Sequence, residues 1–117
     1  MAGGLRFRSE STLVSSLGTP FPIGTKVLIP AAQVVGIQRV AVYAGILQAI
    51  SAQATFQFQD TGGGALSGIY TLALLGIFII DDKKNGDPWW QGGAGLGVQL
   101  VTTGGTVAAD IYLGFGA

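Results

Sequence analysis

The distribution of glycine is the feature of this sequence that most constrains its fold. Twenty of the 117 residues are glycine, and they are spread along the chain among β-branched and aliphatic residues. That is about 17%, against an average near 7%, and no collagen-like period accompanies it. No segment shows the 3.6-residue apolar repeat that is typical of an amphipathic helix. We therefore expect short strands joined by many tight turns.

Alternating side chains predict the individual strands. Ala54, Phe56 and Phe58 alternate with threonine and glutamine, a period-2 pattern typical of a strand with one polar face. The continuous apolar run 76–80 predicts a strand with both faces covered. Further strands are predicted at 11–15, 26–29, 38–50, 65–74, 96–102 and 107–115. The last two are expected to pair as a hairpin around Thr103–Thr106. This spacing predicts an all-β, jelly-roll-like antiparallel β-sandwich.

The chain divides into two predicted parts, an extended N-terminal arm over residues 1–24 and a sandwich domain over residues 25–117. Pro20 and Pro22 impose an extended path on the end of the arm. A disordered terminus is the alternative, since chain ends are commonly poorly ordered. Phe7, Leu13 and Phe21 are apolar enough to favour an arm that becomes ordered against a neighbouring molecule.

The composition argues against several classes of function. Cysteine and histidine are both absent, which excludes disulfides, ordinary zinc sites and Ser-His or Cys-His catalysis. Six basic residues balance six acidic ones without a basic stripe, so nucleic-acid binding is not expected. The most apolar stretch, 65–80, is too short and too rich in glycine for a membrane-spanning helix. We predict a protein that is not an enzyme and needs no cofactor or metal.

The low charge content suggests association with other chains. Charged residues make up 10% of the sequence, against about 25% in a typical soluble domain, and the mean hydropathy is +0.54. Part of the surface is therefore expected to be buried against other molecules. We predict a homo-oligomer, and favour a trimer over a dimer because a closed axis can bury one apolar face of every subunit.

Three groups of residues are candidates for chemistry. Asp81, Asp82 and Asp87 could form a metal-binding or hydrolytic loop, but they lack the EF-hand spacing, and a solvated turn is the favoured interpretation. The glycine runs at 62–64 and 92–93 lack the residues of a phosphate-binding loop and are interpreted as turns. Arg39 could pair with Asp110 or with a partner chain, or be an ordinary surface arginine.

The adjacent tryptophans Trp89 and Trp90 are the most distinctive local feature. In an extended segment, neighbouring side chains point to opposite faces, so one indole can fill the core while the other points outward. Tryptophan is common both at protein interfaces and in sugar-binding sites. Together with Tyr43, the two tryptophans are candidate interface aromatics or stacking platforms for a carbohydrate; a purely structural role for both is equally compatible with the pattern.

From Gly36 onward the chain resembles small β-sandwich proteins encoded among the structural genes of tailed bacteriophages. The resemblance covers about seven tenths of the chain and rests on a pattern of short motifs. The matching segments are Ile37-Gln38-Arg39-Val40-Ala41-Val42-Tyr43, the hairpin from Thr55-Phe56-Gln57-Phe58 to Gly64-Ala65-Leu66-Ser67-Gly68, Asp87-Pro88-Trp89-Trp90-Gln91, Gly95-Leu96-Gly97-Val98-Gln99-Leu100 and Val107-Ala108-Ala109-Asp110-Ile111-Tyr112. The charged loop 81–86 and the N-terminal arm have no match in the pattern.

The resemblance implies a virion structural protein, made in the bacterial host cytoplasm and located on the capsid surface. Its function would be that of a capsid decoration (cement) protein, which stabilises the phage head by binding and bridging major capsid protein subunits. The alternative is a receptor- or carbohydrate-binding domain of a head fibre or tail tip. We expect the arm to make the main attachment to the shell, through residues that are either apolar or basic: Arg6, Phe7, Arg8, Leu13, Pro20, Phe21 and Pro22.

Overall fold

The protein is a sandwich of two antiparallel β-sheets. A computed structural model describes residues 12–16, 19–84 and 86–116. Apart from one 3₁₀ turn at Ala31–Gln33, the regular structure of this part is strand. The strands are β1 (Thr12–Ser15), β2 (Gly24–Ile29), β3 (Arg39–Ala49), β4 (Ala54–Asp60), β5 (Tyr70–Leu72), β6 (Ile77–Ile80), β7 (Trp90–Gln91), β8 (Val98–Thr103) and β9 (Val107–Gly116). No helix in this part of the chain is long and apolar enough to cross a membrane.

The strand order confirms the predicted jelly-roll-like sandwich. Sheet A has the order β1-β9-β3-β6, with the short β7 pairing farther along β3, and sheet B has the order β2-β8-β4-β5. Successive strands therefore alternate between the sheets over much of the chain, as in a double-sheet jelly roll. The predicted hairpin of the last two strands is wrong: β8 belongs to sheet B and β9 to sheet A. The turn between them crosses the sandwich instead of joining neighbours.

The core fills the space between the sheets. Phe56 and Phe58 of β4 are almost fully buried, and their rings are edge to face with centroids 6.2 Å apart. Leu100 on β8 and Ile111 on β9 meet them from both sheets. Gln57 and Gln59, which alternate with these phenylalanines, point outward as the period-2 pattern of the sequence requires.

Two glycine positions show how closely the backbones approach. A Cβ built on Gly97 would lie 1.8 Å from the carbonyl oxygen of Ile29, so only glycine fits where the chain enters β8. Gly63 has φ +94° in the turn after β4, and Asp60 caps this turn by accepting backbone hydrogen bonds from Gly62 and Gly64. The predicted glycine-rich turn is confirmed.

The division at residue 24 is wrong for the described part of the arm. β1 pairs with β9 over its whole length, and Ser16 extends the contact by accepting a hydrogen bond from the backbone N–H of Ala109 at 2.6 Å. Phe21 is 3% exposed and exchanges backbone hydrogen bonds with Val107. These residues belong to the sandwich, and the strand predicted at 11–15 is its edge. Residues 1–11, 17 and 18 lie outside the described part.

Two further expectations are corrected. The run 76–80 is predicted to be covered on both faces, but Ile77 and Ile79 are more than half exposed because their side chains lie on the side of sheet A that faces away from the core. Arg39 does not pair with Asp110: Arg39 lies opposite Gly116, whereas Asp110 lies opposite Ile46 in the other half of β3.

Candidate functional site

The solvent-facing side of sheet A is an apolar surface. Inward-facing residues of β9 alternate with outward-facing ones, so Ala108, Asp110 and Tyr112 point away from the core. The same alternation operates on the neighbouring strands. We define the outer face as the side of sheet A formed by Leu13, Ser15, Ala44, Ile46, Gln48, Ile77, Ile79, Ala108, Asp110 and Tyr112.

The apolar members of the outer face are contiguous across all four main strands. Leu13 lies opposite Tyr112, which lies opposite Ala44. In the next row Ile46 lies opposite Ile79. Five large side chains of this face are between 44% and 62% exposed: Leu13, Ile46, Ile77, Ile79 and Tyr112. Contiguous exposed apolar surface of this kind marks an interaction site.

The outer face contains a groove and a few polar side chains. A groove of about 420 Å³ runs across it, lined by Ser16, Pro20, Ile46, Gln48, Ile77, Ala108, Ala109 and Asp110. Asp110 accepts a 2.6 Å hydrogen bond from the Ser15 hydroxyl. Gln48 donates to the carbonyl oxygen of Leu75 at 3.1 Å, which fixes the loop at one end of the face. Ser15 and Gln48 therefore bond within the chain, and Asp110 is an exposed carboxylate on a surface that is otherwise mainly apolar.

The opposite face of the molecule is polar by comparison. On the outside of sheet B, Gln99 donates to Gln59 at 3.1 Å, Gln59 donates to Gln57 at 2.9 Å, and Gln57 donates to the carbonyl oxygen of Ser67 at 3.1 Å. This ladder satisfies the amides within the protein. The asymmetry between the two faces identifies sheet A as the side available for an apolar contact.

A second feature is an aromatic cleft beside β6. A cavity of about 240 Å³ is lined by Tyr70, Phe78, Ile79, Ile80, Trp89 and Trp90. Trp90 stacks on Phe58 with centroids 5.1 Å apart, and Tyr70 packs on Phe78 at 4.6 Å. The walls of the cleft are therefore held by core side chains.

Of the interpretations left open for the tryptophan pair, the structure shows the one in which one indole packs against the core and the other points outward. Trp90 packs against the core, whereas Trp89 is 44% exposed. The Trp89 indole N–H donates to the carbonyl oxygen of Asp81 at 2.5 Å, and the Lys83 amine lies 4.5 Å from its ring centroid. Tyr43 is only 5% exposed and packs over Gly114, so its ring offers no stacking platform in this conformation.

The residues predicted for shell attachment fall into three places. Leu13 lies on the outer face and Pro20 lines its groove, while Pro22 is exposed nearby in the chain. Phe21 is a core residue, so its assignment to attachment is wrong. Arg6, Phe7 and Arg8 lie outside the described residues.

The acidic loop does not form a metal cage. Asp81, Asp82 and Asp87 do not come together, and no group of three or more potential metal-binding side chains occurs within residues 12–16, 19–84 and 86–116. The loop instead positions Trp89, through the carbonyl oxygen of Asp81 and the amine of Lys83.

Sequence reasoning missed the outer face, although its signal was present. The residues Ile46, Ile77 and Tyr112 each occupy the outward position of an alternating strand, where a polar residue is usual for a solvated sheet. These positions can be recognised as one surface only when the pairing of the strands is known. Comparison of the chain with protein family models, curated proteins and solved structures found no match.

Proposed function

We propose that this protein is a virion structural protein, a capsid decoration protein of a tailed bacteriophage that binds and bridges major capsid protein subunits. The observation that carries the proposal is the outer face of sheet A, an apolar surface on a chain with few charges. The sequence resemblance supplies the identity of the partner. Jelly rolls occur among both viral capsid and lectin domains, so the fold alone does not choose between functions.

The size of the outer face sets what kind of attachment it can provide. Full burial of a large apolar side chain contributes about 1.5–3 kcal/mol, and the five large side chains here are roughly half exposed. Covering them would contribute roughly 4–7 kcal/mol per subunit. Association itself costs about 4–15 kcal/mol, so one face binds weakly by itself. Stable decoration therefore needs several linked faces, which is why we propose that the protein acts as a homo-oligomer.

The attachment surface is tested with a pair of substitutions at matched exposure. Ile46 is 44% exposed on the outer face, and Val27 is 43% exposed on the outside of sheet B. Ile46→Lys would exchange an apolar side chain of the contact for a charged one opposite Asp110. The loss of apolar area and the desolvation of the ammonium group are expected to weaken binding to particles stripped of this protein by roughly 10–100-fold. Val27→Lys is expected to bind like the wild-type chain. Co-sedimentation with the particles measures both.

Two results would contradict the proposal. If Ile46→Lys decorates as well as wild type, attachment does not use the outer face. If the wild-type chain does not bind the stripped particles at all, the decoration function is wrong. A circular-dichroism melt of each variant separates loss of binding from loss of fold.

The aromatic cleft favours a second candidate function, a receptor- or carbohydrate-binding domain of a head fibre or tail tip. The exposed Trp89 ring borders a preformed cavity, and an indole face is a common platform for the apolar side of a sugar. A glycan array probed with the wild-type chain tests this function. Binding that is lost in Trp89→Ala and kept in Ile46→Lys would establish it; an array without signal would remove it.

A further inference from the structure

The strand β6 forms a free edge of sheet A. It pairs with β3 through the register Gly45 opposite Ile80 to Gln48 opposite Ile77, and no other strand of the described chain pairs with it. The short β7 occupies a different part of β3, beside Ala41 and Val42. One side of the β6 backbone is therefore open to another chain.

The hydrogen-bonding groups of two residues point to this open side. The N–H of Ala49 donates to the carbonyl oxygen of Gly76 at 3.1 Å, so this pair bonds toward β3. In an antiparallel ladder the bonded pairs alternate with non-bonded pairs. Phe78 and Ile80 therefore bond to β3, and the N–H and C=O groups of Ile77 and Ile79 point away from it. The side chains of both isoleucines are also exposed, at 53% and 62%.

β6 has four residues and lacks three of the features that normally protect a sheet edge from pairing, namely charges, proline and bulges. Edge strands are usually shielded by charges, proline, bulges or shortness. On the other sheet, β2 carries Lys26 and a bulge between Val27 and Ile29, and β5 has only three residues. The sequence of β6 is Ile-Phe-Ile-Ile, with no charge, proline or bulge.

We propose that β6 pairs with β6 of a second copy of this chain, antiparallel and across a two-fold axis. An antiparallel strand is complementary to itself, so the same edge on both copies supplies donors and acceptors in matching positions. The two five-stranded sheets would merge into one continuous ten-stranded sheet, and the two outer faces would become one surface. The pairing goes beyond the decoration function, since it needs no particle.

The alternation of side chains selects the register. Directly opposed residues in an antiparallel pair lie on the same face, so the exposed residues of one copy must oppose exposed residues of the other. Centring the axis on Phe78 places Ile77 opposite the partner's Ile79, with all of their outward backbone groups paired. Centring it on Ile79 would place Asp81 opposite the partner's Ile77, and the Asp81 carbonyl oxygen already accepts from Trp89. The axis at Phe78 is therefore assigned.

A two-fold pairing of this kind predicts a dimer, not the trimer favoured from sequence. A trimer through β6 would need a different edge of the next copy as its partner, because a self-complementary edge is saturated by one copy. The oligomeric state of the isolated protein therefore discriminates between the two arrangements.

The first test measures mass in solution by multi-angle light scattering. The wild-type chain is expected to be a dimer. Ile79→Lys is expected to raise the dissociation constant by roughly tenfold, since the two-fold axis makes each dimer lose two cross-strand isoleucine pairs. Ile46→Lys is the matched control on the neighbouring strand of the same face and is expected to remain a dimer. A wild-type monomer or trimer, or dissociation by Ile46→Lys and not by Ile79→Lys, would overturn the proposal.

The second test measures register and exploits the absence of cysteine from the chain. Ile77→Cys and Ile79→Cys are prepared separately, and one carries an affinity tag. Opposed Cα atoms in a ladder are about 4.5–5.5 Å apart, within the range that a disulfide bridges. The mixture is expected to give a tagged–untagged disulfide dimer on mild oxidation, and each variant alone should give much less. Equal cross-linking in all three samples, or none, would contradict the register. Because neither test involves a particle, failure here is separate from failure of the decoration function.

Discussion

Thr102 offers a test of the core that depends on a single atom. The side chain is 1% exposed on the inward side of β8, opposite Phe56 of β4 and Gly24 of β2. Its hydroxyl oxygen is buried without a hydrogen-bond partner among the residues that the structure describes. Replacing threonine by valine keeps the β-branched shape and the strand preference, and exchanges this hydroxyl for a methyl group. Thr102→Val is therefore expected to stabilise the protein.

The expected magnitude follows from the burial. A hydroxyl buried without a partner costs about 1–3 kcal/mol in proteins. Some of the gain is offset if the new methyl group fits imperfectly, because protein interiors are close-packed. We expect the free energy of unfolding to rise by about 1–2 kcal/mol, which for a domain of this size is a rise in Tm of roughly 4–10 °C.

Chemical denaturation and thermal melts of three variants measure the effect. Thr102→Ser keeps the unpaired hydroxyl and loses the methyl group, so it should be less stable than wild type by about 1 kcal/mol. Thr103→Val makes the same exchange one residue later, where the side chain is exposed, and should stay within about 0.5 kcal/mol. If Thr102→Val is no more stable than wild type, the hydroxyl has a partner and the reasoning is refuted.

Three other substitutions test the fold at separate places. Gly97→Ala should lower the free energy of unfolding by about 3 kcal/mol or more in urea, since its Cβ would overlap the carbonyl oxygen of Ile29; an effect below about 1 kcal/mol would contradict the close approach. Phe21→Ala removes a core side chain and should lower the free energy of unfolding by about 3–5 kcal/mol. A change near zero would indicate that Phe21 belongs to a dispensable arm. Leu75 has φ +66°, a backbone conformation that is strained for leucine, so Leu75→Gly should be neutral or stabilising by up to about 1 kcal/mol. Leu74→Gly, at similar exposure, should destabilise the protein. Equal shifts in Tm for the two variants would contradict the strain at Leu75.

The candidate surfaces show where local sequence reasoning stops. The geometry of an extended segment allowed one tryptophan to pack inward and the other to point outward, because neighbouring side chains there point to opposite sides. It did not identify which of the two is the exposed one. The outer face did not follow, because Leu13, Ile46 and Tyr112 are far apart in sequence and become neighbours only through strand pairing. The role of Phe21 was also missed, since a proline-flanked phenylalanine near the N-terminus has the same local pattern in an arm as in a core.

The sequence by itself determined that this chain forms strands and, for a strand such as β4, which side chains face inward. Glycine-rich turns and period-2 alternation act locally, and they hold for β4, β8 and β9 whatever the strands pair with. Only the tertiary structure decided that β8 and β9 lie in different sheets, and that β6 is an edge strand. It also decided that Ile77 and Ile79 of β6 are exposed. Strand pairing depends on contacts between residues distant in the chain, and a turn such as Thr103–Thr106 permits either a hairpin or a crossover. An apolar run likewise predicts that its side chains are shielded from water. It does not show whether this chain or another molecule shields them.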